Sequence, residues 1–195
     1  VRAGQWDQWS IVNNPLGMDL YQSTVGIIGM GRIGQGIAKR ALGFGMRVVY
    51  HNRSHLSDQD EKVCGATYVS KEELLRIADH VVLVLPYTAQ NHHTIGAAEI
   101  AMMKPTATLI NIARGGIVDD LALAQALQSK KIFAAGLDVF EGEPKVHPEL
   151  LKCSNIVLAP HIASATEKTR RAMVDLAIEN LRAVLDGKKP PSLIN

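Results

Sequence analysis

The chain has 195 residues, 47% of them hydrophobic and 21% charged, with a formal net charge of +2. That length suits one well-buried domain, or one domain with a remnant of another, and the balanced charge gives no electrostatic case for nucleic acid or an acidic tail. The longest apolar runs, such as "VVLVLP" at 81–86, fall far short of the ~20 residues of a membrane span, so no membrane partner is expected.

The opening segment "VRAGQWDQWSIVNN" has neither signal-peptide nor transit character. Because it begins with Val1 rather than Met, the expectation is that the chain is part of a longer protein. In chain order, β-branched runs then alternate with segments of helical period. The runs are 24–28, 47–50, 66–69, 80–85, 107–112, 133–139 and 155–160; the helical segments are 32–44, 71–78, 97–103, 120–130 and 164–187. The runs are nearly continuous in apolar residues, as parallel strands covered by helices on both faces would be. Strand–helix alternation with right-handed crossovers predicts an α/β doubly wound parallel sheet of the Rossmann type, whose ligands bind beyond the carboxyl ends of the strands. The expected layout is an arm over 1–20, a dinucleotide-binding domain over 21–186, and the start of a C-terminal return over 187–195. Cys64 and Cys153 lie far apart with no metal or CxxC spacing, which predicts reduced thiols and a reducing, cytoplasmic setting.

The first predicted strand runs into Gly29-Met30-Gly31-Arg32-Ile33-Gly34. Glycine first permits a tight turn, next lets backbone approach a pyrophosphate, and last lets helix pack closely on strand. Phosphates would sit on free N–H groups at the helix N-terminus. About twenty residues further on, such units place an acid that holds the ribose 2′-hydroxyl. Here that position is Asn52, followed by Arg53, Ser54 and His55. Losing the acid removes repulsion toward a 2′-phosphate, while Arg53 and Ser54 are donors for its oxygens. One good charge-assisted contact is worth ~1.5–3 kcal/mol, so NADP(H) is expected to be preferred over NAD(H).

After the fourth run, "LPYTAQNHHTI" puts Leu85, Pro86 and Thr88 where a ribose or nicotinamide would lie. His92 and His93 raise the question of a metal. Adjacent histidines in a helix do not share a face, and no carboxylate cluster is expected to accompany them, so the expectation is a loop or helix-start role and no metal. Three later segments begin at strand carboxyl ends. "NIARGGIVDD" carries Ile112, Ala113 and Arg114 before a diglycine read as a flexible turn; "GLDVFEGEP" carries Asp138 and Glu143; "APHIASAT" carries His161, Ala163 and Ser164. A guanidinium suits a carboxylate, and an imidazole suits proton transfer near neutrality.

Together, "QSTVGIIGMGRIGQ", "LPYTAQNHHTIG", "INIARGGIVDD", "AAGLDVFEGEP" and "LAPHIASAT" resemble the D-isomer-specific 2-hydroxyacid dehydrogenase family, nearest its NADPH-preferring glyoxylate/hydroxypyruvate reductase and 2-ketogluconate reductase branch. The resemblance implies a catalytic trio of Arg114, Glu143 and His161, with Asp138 near the nicotinamide amide. It implies a small 2-oxo or 2-hydroxy acid as substrate and a homodimer formed through the nucleotide domain, with the Trp6/Trp9 segment packed on the partner. Where many relatives have glycine, this chain has Ala163. The family's second, substrate-binding domain comes mostly from upstream sequence, so these residues alone are expected to bind cofactor and turn over poorly. NAD-dependent relatives such as D-3-phosphoglycerate dehydrogenase, and nucleotide-sensing corepressors, remain alternatives.

Overall fold

The structure, a computed structural model, describes residues 2–4, 11 and 17–193. Trp6 and Trp9 lie outside the described residues, as does most of the predicted arm. Seven strands, β1 (Thr24–Ile28), β2 (Arg47–His51), β3 (Ala66–Tyr68), β4 (His80–Leu83), β5 (Thr108–Asn111), β6 (Ala134–Leu137) and β7 (Ile156–Leu158), form one sheet. Every pairing is parallel and the order is β3-β2-β1-β4-β5-β6-β7. The order reverses between β1 and β4, so the loops after these strands diverge and leave a crevice at their carboxyl ends.

Side chains alternate across the sheet and feed two apolar clusters. Ile28, Val49, Val81 and Leu83 join Leu74, Leu75, Ile100, Leu123 and Leu127 from α3 (Lys71–Ile77), α4 (Ala97–Met102) and α5 (Asp120–Gln128). Ile27, Val48, Tyr50 and Val82 join Ala38, Ala41 and Cys64 from α1 (Arg32–Gly43) and α2 (Asp58–Cys64) on the opposite face.

Two sequence expectations are corrected here. Helix α2 was not anticipated. It is short, but its ends carry recognisable signals: the Ser57 side chain accepts from the Asp60 N–H, three acids occupy the first turn, and Gly65 closes the helix at φ 55°. The second correction concerns coverage. The last helix, α6 (Glu167–Leu185), buries none of its residues, and Val157 on β7 is 71% exposed. Among the described residues, therefore, the β5–β7 end of the α1 face has no helix across it, and helices cover both faces only around β1 and its neighbours.

Tyr50 ties the second strand to the loop that follows it. Its hydroxyl donates to Glu61 Oε1 at 2.6 Å and accepts the Leu56 N–H at 2.8 Å. Burial, helped by the Glu61 hydrogen bond, pushes its pKa up to about 12. Replacing Tyr50 by Phe leaves the Leu56 N–H without its acceptor, which costs about 1–3 kcal/mol. Urea unfolding of Tyr50→Phe is expected to show that loss; an unchanged midpoint would mean that the hydroxyl does not anchor the loop.

Candidate functional site

The glycine turn follows β1 directly. Gly29 has φ 103°, and a Cβ there would meet Val84 and Leu85 backbone atoms at 2.7–2.8 Å. A Cβ on Gly34 would run into the Gly29 carbonyl oxygen, so that glycine permits the helix to start tight against its strand. Gly31 is different: φ is −80° and nothing lies within 4 Å of the position a Cβ would take. The protein's own packing does not require glycine at 31, whereas a group lying across the turn would. Helix α1 begins with no side-chain cap and no acid in its first turn, leaving its N–H groups to an anion. The turn therefore fits a dinucleotide pyrophosphate.

The loop after β2 closes against this turn. Asn52 Oδ1 accepts the Met30 N–H at 2.7 Å, which leaves its amide NH2 for a ribose hydroxyl. Arg53 and Ser54 are exposed beside it, and His55 stacks on Tyr68 with ring centroids 3.6 Å apart. After β4, Asn91 draws its loop together, accepting from the Thr88 N–H at 2.7 Å and donating to the Pro86 carbonyl at 2.6 Å. Thr88 is thus placed by its backbone, with its side chain at the surface.

The segment after β5 is held by Asn111, 2% exposed, whose amide accepts the Ala113 N–H and donates to the Arg114 carbonyl. Arg114 is exposed in the cleft, one guanidinium nitrogen 2.6 Å from the Ala113 carbonyl oxygen. The diglycine behind it is not the flexible turn the sequence suggested. A Cβ on Gly115 would overlap the Phe140 carbonyl, so this glycine lets the turn after β5 wedge against the turn after β6.

That second turn carries Glu143. Its Oε1 accepts the Phe140 N–H at 2.9 Å, and its Oε2 faces His161 Nδ1 at 2.9 Å. Burial works against the charge, but the His161 hydrogen bond and the Phe140 N–H outweigh it and hold the carboxyl below its ordinary pKa. His161 adopts φ 52°, a conformation uncommon for a residue with a Cβ. Asp138 accounts for it. This buried carboxylate accepts the Ile162 and Ala163 N–H groups at 2.8 Å each, while its backbone carbonyl accepts the His161 N–H at 2.9 Å. Resemblance alone assigned Asp138 to the nicotinamide amide; the structure gives it the further task of setting the His161 loop.

A cleft of about 860 Å³ brings Arg114, Glu143 and His161 together with Ile33, Leu85, Pro86, Ile112 and Ala113. Ala163 and Ser164 follow His161 in the same loop and are not among the residues that line the cleft. His92 and Glu141 also line the cleft, and this corrects a sequence expectation: carboxylates do accompany the histidine pair. His93 lies beyond the short helical turn Ala89–Asn91, has φ 50°, and stacks its ring on that of His92 at 3.8 Å. The two side chains share a face because the backbone there is not helical. Glu141 comes from 48 residues downstream, a distance that local sequence spacing does not reveal.

Comparison with known proteins places this geometry. The family profile described as D-isomer specific 2-hydroxyacid dehydrogenase, NAD binding domain, matches residues 1–163. This chain belongs to that family. Members similar to it include the glyoxylate reductases of Thermococcus onnurineus and Pyrococcus furiosus, each 48% identical over 100% of this chain. The chain spans 59% of the length of either relative. Among solved structures, a glyoxylate reductase from Paecilomyes thermophila superposes with a TM-score of 0.88 at 42% identity, covering 96% of this chain and 56% of that one. Rhodotorula graminis D-mandelate dehydrogenase gives 0.85 at 36% identity, covering 90% of this chain and 52% of that one. The fold is thus the family's Rossmann-like nucleotide-binding domain, a nicotinamide dinucleotide is its cofactor class, and no helix among the described residues is long and apolar enough to cross a membrane.

Proposed function

We propose that this protein is a cytoplasmic, homodimeric reductase that converts a small 2-oxo acid of the glyoxylate, hydroxypyruvate or 2-ketogluconate type to the D-2-hydroxy acid, preferring NADPH. The observation that carries this reading is the His161 Nδ1–Glu143 Oε2 contact of 2.9 Å in the same cleft as Arg114, at the edge of a turn suited to pyrophosphate. The bound reduced nicotinamide would supply a hydride to the carbonyl carbon. Gly29–Gly34 would hold the pyrophosphate, and Asn52, Arg53 and Ser54 the adenosine ribose with its 2′-phosphate. Leu85, Pro86, Thr88, Ile112 and Ala113 would bound the nicotinamide half.

The chain's own groups account for substrate and proton. Arg114 presents an exposed guanidinium that would pair with the substrate carboxylate and orient its carbonyl, a positioning effect able to contribute several kcal/mol to the barrier. With Nδ1 turned to Glu143, His161 has Nε2 left for the cleft, where it would donate a proton to the carbonyl oxygen in reduction and withdraw it in oxidation. Glu143, held ionised through the neutral range by its lowered pKa, would fix the ring's tautomer and favour the imidazolium. Asp138 acts through the backbone and touches neither proton.

Cofactor choice is tested by titrating the protein with NADPH and NADH at low and moderate salt, following nicotinamide fluorescence. NADPH is expected to bind at least about tenfold tighter, with the advantage shrinking as salt rises and largely lost in Arg53→Ala. Equal or tighter NADH binding would mean that Arg53 and Ser54 do not read the 2′-phosphate.

The proton donor is tested on the full-length protein. Glu143→Gln removes the charge facing His161, so the imidazolium persists only to lower pH, and the optimum for 2-oxo acid reduction should move toward acid with a reduced rate. A pH profile identical to the parent's would remove Glu143 from the pairing.

A further inference from the structure

Beside the catalytic cleft, His92, His93 and Glu141 face one another across two loops, the one after β4 and the one after β6. Their ligand-type atoms all lie within 4.8 Å of one another, and among the described residues no other group of three His, Cys, Asp or Glu side chains does so. Glu141 Oε2 is 2.9 Å from His93 Nε2, and Oε1 is 3.7 Å from His92 Nε2. Two ligands bound at about 2.0–2.1 Å to a tetrahedral ion stand about 3.3 Å apart, between those two values. The rings are stacked, with centroids at 3.8 Å and planes 24° apart, and would splay apart to take adjacent positions on one tetrahedral ion.

The far nitrogen of His92 is engaged as in metal-ligating histidines, where the second ring nitrogen commonly meets a carboxylate, carbonyl or hydroxyl that fixes ring orientation. His92 Nδ1 is 3.2 Å from the Tyr87 hydroxyl, while His93 Nδ1 has the Asp119 carboxylate nearby at 3.8 Å, beyond a direct hydrogen bond. Backbone contacts fix the rest: the His93 N–H donates to the Gly116 carbonyl at 2.7 Å, and the Glu141 N–H donates to Asp120 Oδ2 at 3.1 Å. Gly116, at φ 78°, has the His92 ring 3.2 Å from where a Cβ would stand, so its missing side chain makes room for the pair.

We propose that His92, His93 and Glu141 form a binding site for a divalent transition metal of the zinc class, with an open fourth position toward the cleft. Two imidazoles and one carboxylate are a donor set that such ions accept, whereas magnesium and calcium ask for oxygen ligands. Occupancy would staple the loop carrying Glu141, and with it Glu143 two residues on, to the loop after β4. The ion is therefore placed to modulate the neighbouring proton donor without belonging to the reaction, and the inference stands whether or not the reductase reading is right.

The test is a titration of the full-length protein, stripped with chelator, with Zn²⁺ by calorimetry and with Co²⁺ by visible absorption. One ion per chain is expected, with the intense d–d absorption of tetrahedral cobalt, weakening as pH falls because protonated imidazole does not bind a cation. His93→Gln and Glu141→Gln, each checked for native circular dichroism, should weaken binding by at least about tenfold. His161→Gln should leave it intact. Absence of stoichiometric binding, binding unaffected by both cluster variants, or binding lost with His161→Gln would each overturn the proposal.

Discussion

The geometry of the candidate site depends on one buried carboxylate. Asp138 accepts two backbone N–H groups from the segment after β7 and, through its own carbonyl, a third from His161. Hydrogen bonds to a charged acceptor contribute about 1.5–3 kcal/mol each, enough to hold a residue with a Cβ at positive φ. Without that clamp the loop has no evident reason to present His161 opposite Glu143. The parallel sheet sets the stage, because β5, β6 and β7 are adjacent and end at the same edge. Consecutive loops therefore deliver Arg114, Glu143 and His161 to one cleft, with Asn111 and Asp138 buried behind them.

The same economy governs the nucleotide end. Asn52 caps the Met30 N–H that an acid at this place could equally have accepted, so the turn keeps its closure while the negative charge is gone. Tyr50, one strand position from the loop, fastens the far end through the Leu56 N–H. The exposed Arg53 and Ser54 thus project from a loop pinned at both ends, an arrangement suited to reading a charged group rather than adapting to one.

Much of this was legible in the sequence. Six of the seven strands fell within the predicted runs and β2 overran its run by one residue, His51, because buried parallel strands are apolar on both faces and cannot be confused with exposed alternation. The spacing of Gly29, Gly31 and Gly34 between a strand and a helix is local, so the turn itself could be read from the sequence. Other features depend on contacts between distant segments. The close approach of Gly115 to Phe140, the double duty of Asp138 and the meeting of His92 and His93 with Glu141 are set by how loops from different strands pack, and no local period records them. Helix α2 was missed for a different reason: in "DQDEKVC" only Val63 and Cys64 are apolar, which makes no hydrophobic period, so only its Ser57 and Gly65 caps betray it. The exposed face of α6 is apolar in part, with Met173, Val174 and Leu181 more than half exposed, yet its period reads like that of any packed helix.

The central claim is that Asp138 positions His161 so that Nδ1 engages Glu143 and Nε2 is left to exchange protons in the cleft. Long-range proton–nitrogen NMR of isotope-labelled histidine side chains reads this directly, above the pH at which His161 is neutral. The account predicts the Nδ1–H form in the parent protein and averaging of the two tautomers in Asp138→Asn. Nε2–H in the parent, or a tautomer unaffected by Asp138→Asn, would contradict it.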